Sequence, residues 1–146
     1  MGFTYSLIGI KVSYYFVEES DILLSEMSGG GEDQLVINLS TFMVFALIVA
    51  PIEEIYYRGF LFQAFRGVIG TIASAVLMIL WFTAIHAFQL AGSVAALSMI
   101  VGLSLCCMIL RMKHDSVLPA IAFHWTYNLV LVVVSLVSLL VEGPQA

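Results

Sequence analysis

Several side chains in this sequence sit in apolar stretches where only chemistry or pairing accounts for them. Glu53, Glu54 and Arg58 lie in the long run that begins at Leu35, His86 lies in a second apolar segment, and His124 and Asn128 lie in a fourth. An ionised side chain at mid-bilayer costs roughly 2.5–3.5 kcal/mol on insertion, so each needs a partner or a function. A carboxylate out of bulk water is a stronger base, which suits taking a proton from water, and Glu53 is the candidate. His86 can hold the same water and pass its proton to a leaving amine, because imidazole works in both protonation states near neutrality. His124 and Asn128 can aim an imidazole and an amide N–H at the oxyanion that forms when an amide carbonyl is attacked. The alternative for the same residues is a divalent metal such as zinc, with Glu53, His86 and His124 as ligands, although no HExxH pair supports it.

Spacing separates these residues into roles. Glu54 and Arg58 are four apart on one helix face, in the order that favours an ion pair, so they read as a structural couple. Glu53 is turned about 100° from Glu54 on a helix of 3.6 residues per turn, and its carboxylate is left for chemistry. His124 and Asn128 are also four apart and share a face. Counted from the helix ends nearest the basic residues at a rise of 1.5 Å, Glu53, His86 and Asn128 lie roughly 18–20 Å along their helices and His124 about 10 Å. His114 reads as a solvated residue of a basic loop. Trp81, Phe82, Trp125 and Tyr127 read as packing or interfacial residues, and Ser74, Ser93, Ser98 and Ser104 as small packing residues, since no serine stands beside a base.

These residues need helices to hold them. Leu35 to Phe65 is too long for one straight span, and Pro51 is expected to kink or break it. After the turn signals Arg66, Gly67 and Gly70, further spans are expected over Ala73–Ala91, Ser93–Leu110 and Val117–Val141, with Arg111 to Ser116 as the loop between the last two. Upstream, Phe3–Val17 is a short aromatic-rich stretch suited to a tilted or interfacial helix, and Glu18–Gln34 is an acidic loop containing three consecutive glycines. The division is therefore residues 1–34, a short apolar segment plus acidic loop, and residues 35–146, the core. Arg66, Arg111 and Lys113 fall on one side of the membrane and the acidic loop on the other, so the basic side is expected to be cytoplasmic.

Composition points the same way. Of 146 residues, 62% are hydrophobic and 10% charged, and the mean hydropathy is +1.07, outside the range of soluble domains. The fold class expected is all-α, a polytopic transmembrane bundle of about four or five helices, with lipid as solvent. The net charge of −5 comes mainly from the acidic loop, and nucleic acid is not an expected partner. Cys106 and Cys107 are adjacent in an apolar run and read as small hydrophobes. The N-terminus lacks the pattern of a cleavable signal peptide, and its Met1-Gly2 with Ser6 matches only a permissive myristoylation motif.

Three motifs give this set a resemblance. Glu53-Glu54-Ile55-Tyr56-Tyr57-Arg58 resembles the EExxxR motif of the CPBP intramembrane protease family, Phe82 to His86 its FxxxH motif, and His124 to Asn128 its HxxxN motif. Each is weak alone; all three in order on successive apolar segments are specific. The resemblance covers about Val49 to Leu131. That family unites CAAX prenyl endopeptidases of the Ras-converting type with bacteriocin-processing and bacteriocin self-immunity (ABI) proteins. It implies a glutamate-dependent intramembrane endopeptidase, a site open to the cytosol, and a prenylated or hydrophobic peptide or protein as substrate. Carried over, Glu53 and His86 activate water, His124 and Asn128 form the oxyanion hole, and Arg58 pairs with Glu54. A metal-dependent mechanism, which would need a divalent cofactor, has also been described for the family. The resemblance implies more helices upstream, and Phe3–Val17 is expected to be a truncated replacement for them. Two other functions fit the polar set: a non-catalytic membrane immunity or interaction protein, and a proton- or ion-coupled transporter fragment, against which too few spans and no internal repeat argue.

Overall fold

A computed structural model describes residues 40, 43–87 and 93–142. The proposed interfacial segment Phe3–Val17, the acidic loop Glu18–Gln34 and the myristoylation motif lie outside the described residues. Within them the chain is helical and contains no strand. The first helix, α1, is a composite of Phe45–Val49 and Ile55–Leu61 in π-helical geometry, alternating with α-helical Ala50–Glu54 and Phe62–Ile69. It is followed by α2 (Thr71–Ala87), α3 (Val94–His114) and α4 (Leu118–Glu142).

Pro51 does not break α1; helical backbone runs past it into Ile69. Proline is tolerated in the first turn of an α-helical stretch, and here it falls at the start of Ala50–Glu54, where a π-helical stretch has just ended. The chain reverses at Gly70, whose φ of 84° and ψ of 168° lie in a region essentially reserved for glycine. Gly67, by contrast, is helical. Ser93 caps α3 by accepting the N–H of Ala96 at 3.2 Å. The loop expected from Arg111 is shorter than the sequence suggests, because no breaker interrupts Arg111 to His114 and α3 continues through them. Asp115 then ends the helix in the left-handed conformation, with φ 47°. Pro119 in the first turn of α4 costs no helical hydrogen bond.

Consecutive helices pack against one another, and the Ala50–Glu54 stretch closes the arrangement by packing on α4. Met78, Phe82, Ala96, Cys107 and Ala120 are wholly inaccessible at its centre, together with Glu54, Arg58, Ser74 and Ser104. Ile52, Phe60, Val68, Ile72 and Leu118 face outward. Among the described residues α3 is long and apolar enough to cross a membrane; α2 and the first part of α4 are apolar but shorter.

Candidate active site

Glu53 and Glu54 are neighbours on the α-helical stretch of α1, and they face different surroundings. Glu54 is buried between two cationic or ionisable partners. Arg58 Nη1 donates to its Oε1 at 3.1 Å, and His124 Nδ1 lies 2.9 Å from the same oxygen. A carboxylate paired with a guanidinium is ionised and can only accept, so the Nδ1 of His124 carries the hydrogen. Arg58 is held further by Nη2, which donates to Ser104 Oγ of α3 at 2.8 Å, and its guanidinium sits 4.3 Å from the centre of the Phe82 ring. Glu54, Arg58, Ser104 and His124 thus form one buried polar network linking α1, α3 and α4.

Glu53 belongs to a second and more accessible pair. Its Oε1 lies 3.9 Å from His86 Nε2, with the two side chains 24% and 18% exposed. His86 Nδ1 is 2.8 Å from the Phe82 carbonyl, an acceptor only, so Nδ1 is protonated and the lone pair of a neutral His86 is at Nε2, facing Glu53. A water touching both at ordinary hydrogen-bond length would subtend an angle of about 90° between them, close to its own lone-pair and proton directions. The imidazole of His86 also lies on the Phe82 ring at 4.2 Å between centroids, and Phe82 meets the His124 ring edge-on at 6.0 Å. Phe82 is therefore the apolar hub that spaces Arg58, His86 and His124.

Placed against the sequence expectations, Glu53 meets His86 and Glu54 meets Arg58. His124 is tied to Glu54 rather than to Glu53, and Asn128, half-buried, is aligned with His124 by its position one turn further along α4. Three residues read from the sequence as packing or loop residues make polar contacts. Ser104 accepts from Arg58, Arg111 is buried with its Nε donating to the Arg58 carbonyl at 3.0 Å, and the Nε1 of Trp125 donates to the Leu47 carbonyl at 3.0 Å. The signal for the last was Pro51, which has no N–H for the carbonyl four residues before it.

The alternative metal set does not assemble. Among the described residues no three His, Cys, Asp or Glu side chains converge in a way that could hold a metal; the contact of His124 with Glu54 engages Nδ1 alone and is not itself an obstacle to one. As placed, Glu53, His86 and His124 are not assembled into a three-ligand set.

The arrangement is a carboxylate–imidazole pair, Glu53 with His86, beside a buried imidazole–carboxylate–guanidinium network, carried by the motifs EExxxR, FxxxH and HxxxN on three helices. No curated protein and no solved structure matches the chain. A family model described as "Rce1-like: Type II CAAX prenyl endopeptidase Rce1-like" matches residues 35–130, about two-thirds of the sequence. On that match the chain belongs to the Rce1-like family of type II CAAX prenyl endopeptidases.

Proposed function

We propose that the protein is a multi-pass intramembrane endopeptidase that hydrolyses a peptide bond with water activated by Glu53 and His86. The observation that carries this is the 3.9 Å approach of Glu53 Oε1 to an Nε2 whose ring is already oriented by the Phe82 carbonyl. Water held between them gives a proton to Glu53 as its oxygen bonds to the scissile carbonyl carbon. The C–N bond then breaks as that proton passes, directly or through His86, to the leaving amine.

His124 has its Nδ1–H on Glu54, so Nε2 is the ring atom left for substrate. To donate to an oxyanion there, the ring carries both protons, with Glu54 as counter-ion; the Asn128 amide adds a donor that needs no proton. Glu53, His86, His124 and Asn128 are the catalytic residues, and Glu54, Arg58 and Phe82 support them. The expected substrate is a prenylated or otherwise hydrophobic peptide or protein reached from the lipid, with the pocket open to the cytoplasmic side. Two observations support that orientation and depth. Arg66 and Arg111 both reach Asp115, so the basic residues share one end of the bundle. Charged Glu54 and Arg58 are inside while large aliphatic side chains face out, the distribution suited to lipid.

The test is cleavage of a quenched fluorescent peptide carrying a farnesylated cysteine by purified protein in liposomes. Wild-type turnover that Glu53→Gln removes, with folding intact, is expected; undiminished turnover in Glu53→Gln would overturn the assignment.

A second function is favoured by a specific feature, the Glu54–Arg58–Ser104–His124 network, which by itself would serve only to clamp helices together. In a non-catalytic immunity or interaction protein of the same family, Glu53→Ala and His86→Ala would leave the protein's biological effect unchanged and Glu54→Ala would abolish it through assembly.

A further inference from the structure

The Ala50–Glu54 stretch, which carries both glutamates, is flanked by π-helical geometry on each side. A change between i→i+4 and i→i+5 bonding displaces carbonyls from their ordinary donors. On the upstream side Pro51 has no N–H, so the Leu47 carbonyl lacks its usual partner; the indole of Trp125, from α4, donates to it at 3.0 Å. On the downstream side the Phe62 N–H, which would ordinarily reach Arg58, bonds to the Tyr57 carbonyl instead. The Arg58 carbonyl receives Arg111 Nε–H from α3 at 3.0 Å. Each side-chain donor thus comes from a different helix and ends on a carbonyl without its usual i+4 donor, removed by proline at Leu47 and diverted by the altered register at Arg58.

We infer that Trp125 and Arg111 are positioning residues: by supplying these two donors they fix the rotation at which α1 presents Glu53 to His86 and Glu54 to His124. A slip of one residue at either π-helical stretch would turn the side chains beyond it by about 100° relative to those before it. Glu53 and Glu54 would then exchange surroundings or lose them. In lipid an uncaptured carbonyl has no water to turn to, so the captured register is held firmly. Trp125 is itself 42% exposed, so its replacement by phenylalanine removes the N–H while disturbing little packing. The catalytic consequence of this inference rests on the hydrolytic function proposed above; the register it describes does not.

The experiment separates the two. Ile52 and Ile85, exposed on α1 and α2, are replaced by spin-labelled cysteines in a Cys106→Ser background, and their distance distribution is measured in liposomes beside peptidase turnover. Trp125→Phe is expected to broaden the distribution and lower kcat about tenfold with KM little changed, the scale of one polar group left unpaired. Pro51→Ala restores a backbone donor to Leu47, so the double variant with Trp125→Phe is expected to regain a single narrow distance and turnover within about twofold of Pro51→Ala alone. Arg111→Lys keeps a cation for Asp115 but loses the Nε–H, and its broadening is expected to persist in Pro51→Ala. An unbroadened distance in Trp125→Phe, or equal effects of Trp125→Phe with and without Pro51→Ala, would overturn the inference. A wild-type protein with no turnover would remove the peptidase assignment, while the label distances would still decide the register.

Discussion

Glu53 and Glu54 differ by one position, and the structure gives them opposite sensitivities to the same isosteric change. Glu54→Gln neutralises a wholly buried carboxylate that Arg58 approaches at 3.1 Å and His124 at 2.9 Å. Arg58 is then a buried guanidinium without a counter-ion, held only by neutral groups: the new amide oxygen, the Ser104 hydroxyl and the Phe82 ring. Removing one member of a buried ion pair costs about 3–5 kcal/mol, chiefly because the other charge is left uncompensated. Glu53→Gln leaves that network intact. Glu53 is partly exposed and its contact with His86 is 3.9 Å, so the stability change expected is within about 0.5 kcal/mol. Its effect falls on turnover, where loss of a general base costs about 10²–10⁴-fold. The assay pairs farnesylated-peptide cleavage with reversible unfolding by SDS in mixed micelles. If charge is the cause, Glu54→Gln combined with Arg58→Met is less destabilised than the sum of the two single changes. Equal destabilisation by Glu53→Gln and Glu54→Gln would refute the division of labour, and so would a stable Glu54→Gln.

Three further outcomes follow from particular contacts. Gly70→Ala forces a Cβ into a conformation open essentially to glycine alone, and a loss of about 1–3 kcal/mol is expected in the same unfolding measurement although the space around it is empty. The Arg111 guanidinium, by hydrogen bond first and charge second, holds the Asp115 carboxyl below the usual carboxylate range. A depressed folded-state value gives stability that is fully present above the unfolded value of 3.8 and is lost as pH falls through the folded one. Asp115 is exposed, so wild type and Asp115→Asn are expected to differ modestly at neutral pH, less in high salt, and to converge in strong acid; a gap that widens below pH 3.8 would contradict this. Turnover is expected to survive prolonged treatment with a strong chelator, since the donors do not assemble a three-ligand set; loss restored by added zinc would place a metal in the site.

Much of the arrangement is legible because polar residues within the apolar segments are few and helical spacing sorts them. The Glu54–Arg58 couple, the turn at Gly70 and the meeting of Glu53 with His86 follow from i,i+4 geometry, glycine chemistry and comparable depth on neighbouring helices. What periodicity could not reveal was the partner of His124. At 3.6 residues per turn Glu53 and Glu54 differ by about 100° in direction, but the π-helical stretches on both sides move the phase of α1 against its neighbours, and a pattern count assumes no such shift. Arg111 was read as a loop residue because basic side chains commonly mark a helix end. It does mark one, yet its long side chain turns inward to a backbone carbonyl, a contact with no signature in one-dimensional spacing. Pro51 reads as a kink or a break because the sequence does not show what replaces its missing N–H.

The adjacency of the two glutamates then has a physical explanation. A wholly buried carboxylate already held by a guanidinium and an imidazole has no open face to offer a bound water. A carboxylate without such partners is the better base, but it needs a fixed imidazole beside it. Placing the two on consecutive residues of one short α-helical stretch lets a single rotation of α1 satisfy both conditions: as Glu54, paired with Arg58 on the same helix, locks onto His124 and Arg58 onto Ser104, Glu53 is carried to His86. The clamp and the dyad are therefore one degree of freedom, with Phe82 as the spacer between them. Weakening the clamp is expected to lower turnover even where Glu53 is untouched. Arg58→Lys tests this, since a lysine keeps the charge but not the forked contacts to Glu54 and Ser104. Its kcat should fall at least tenfold while the protein remains folded, and wild-type kcat in Arg58→Lys would uncouple the two.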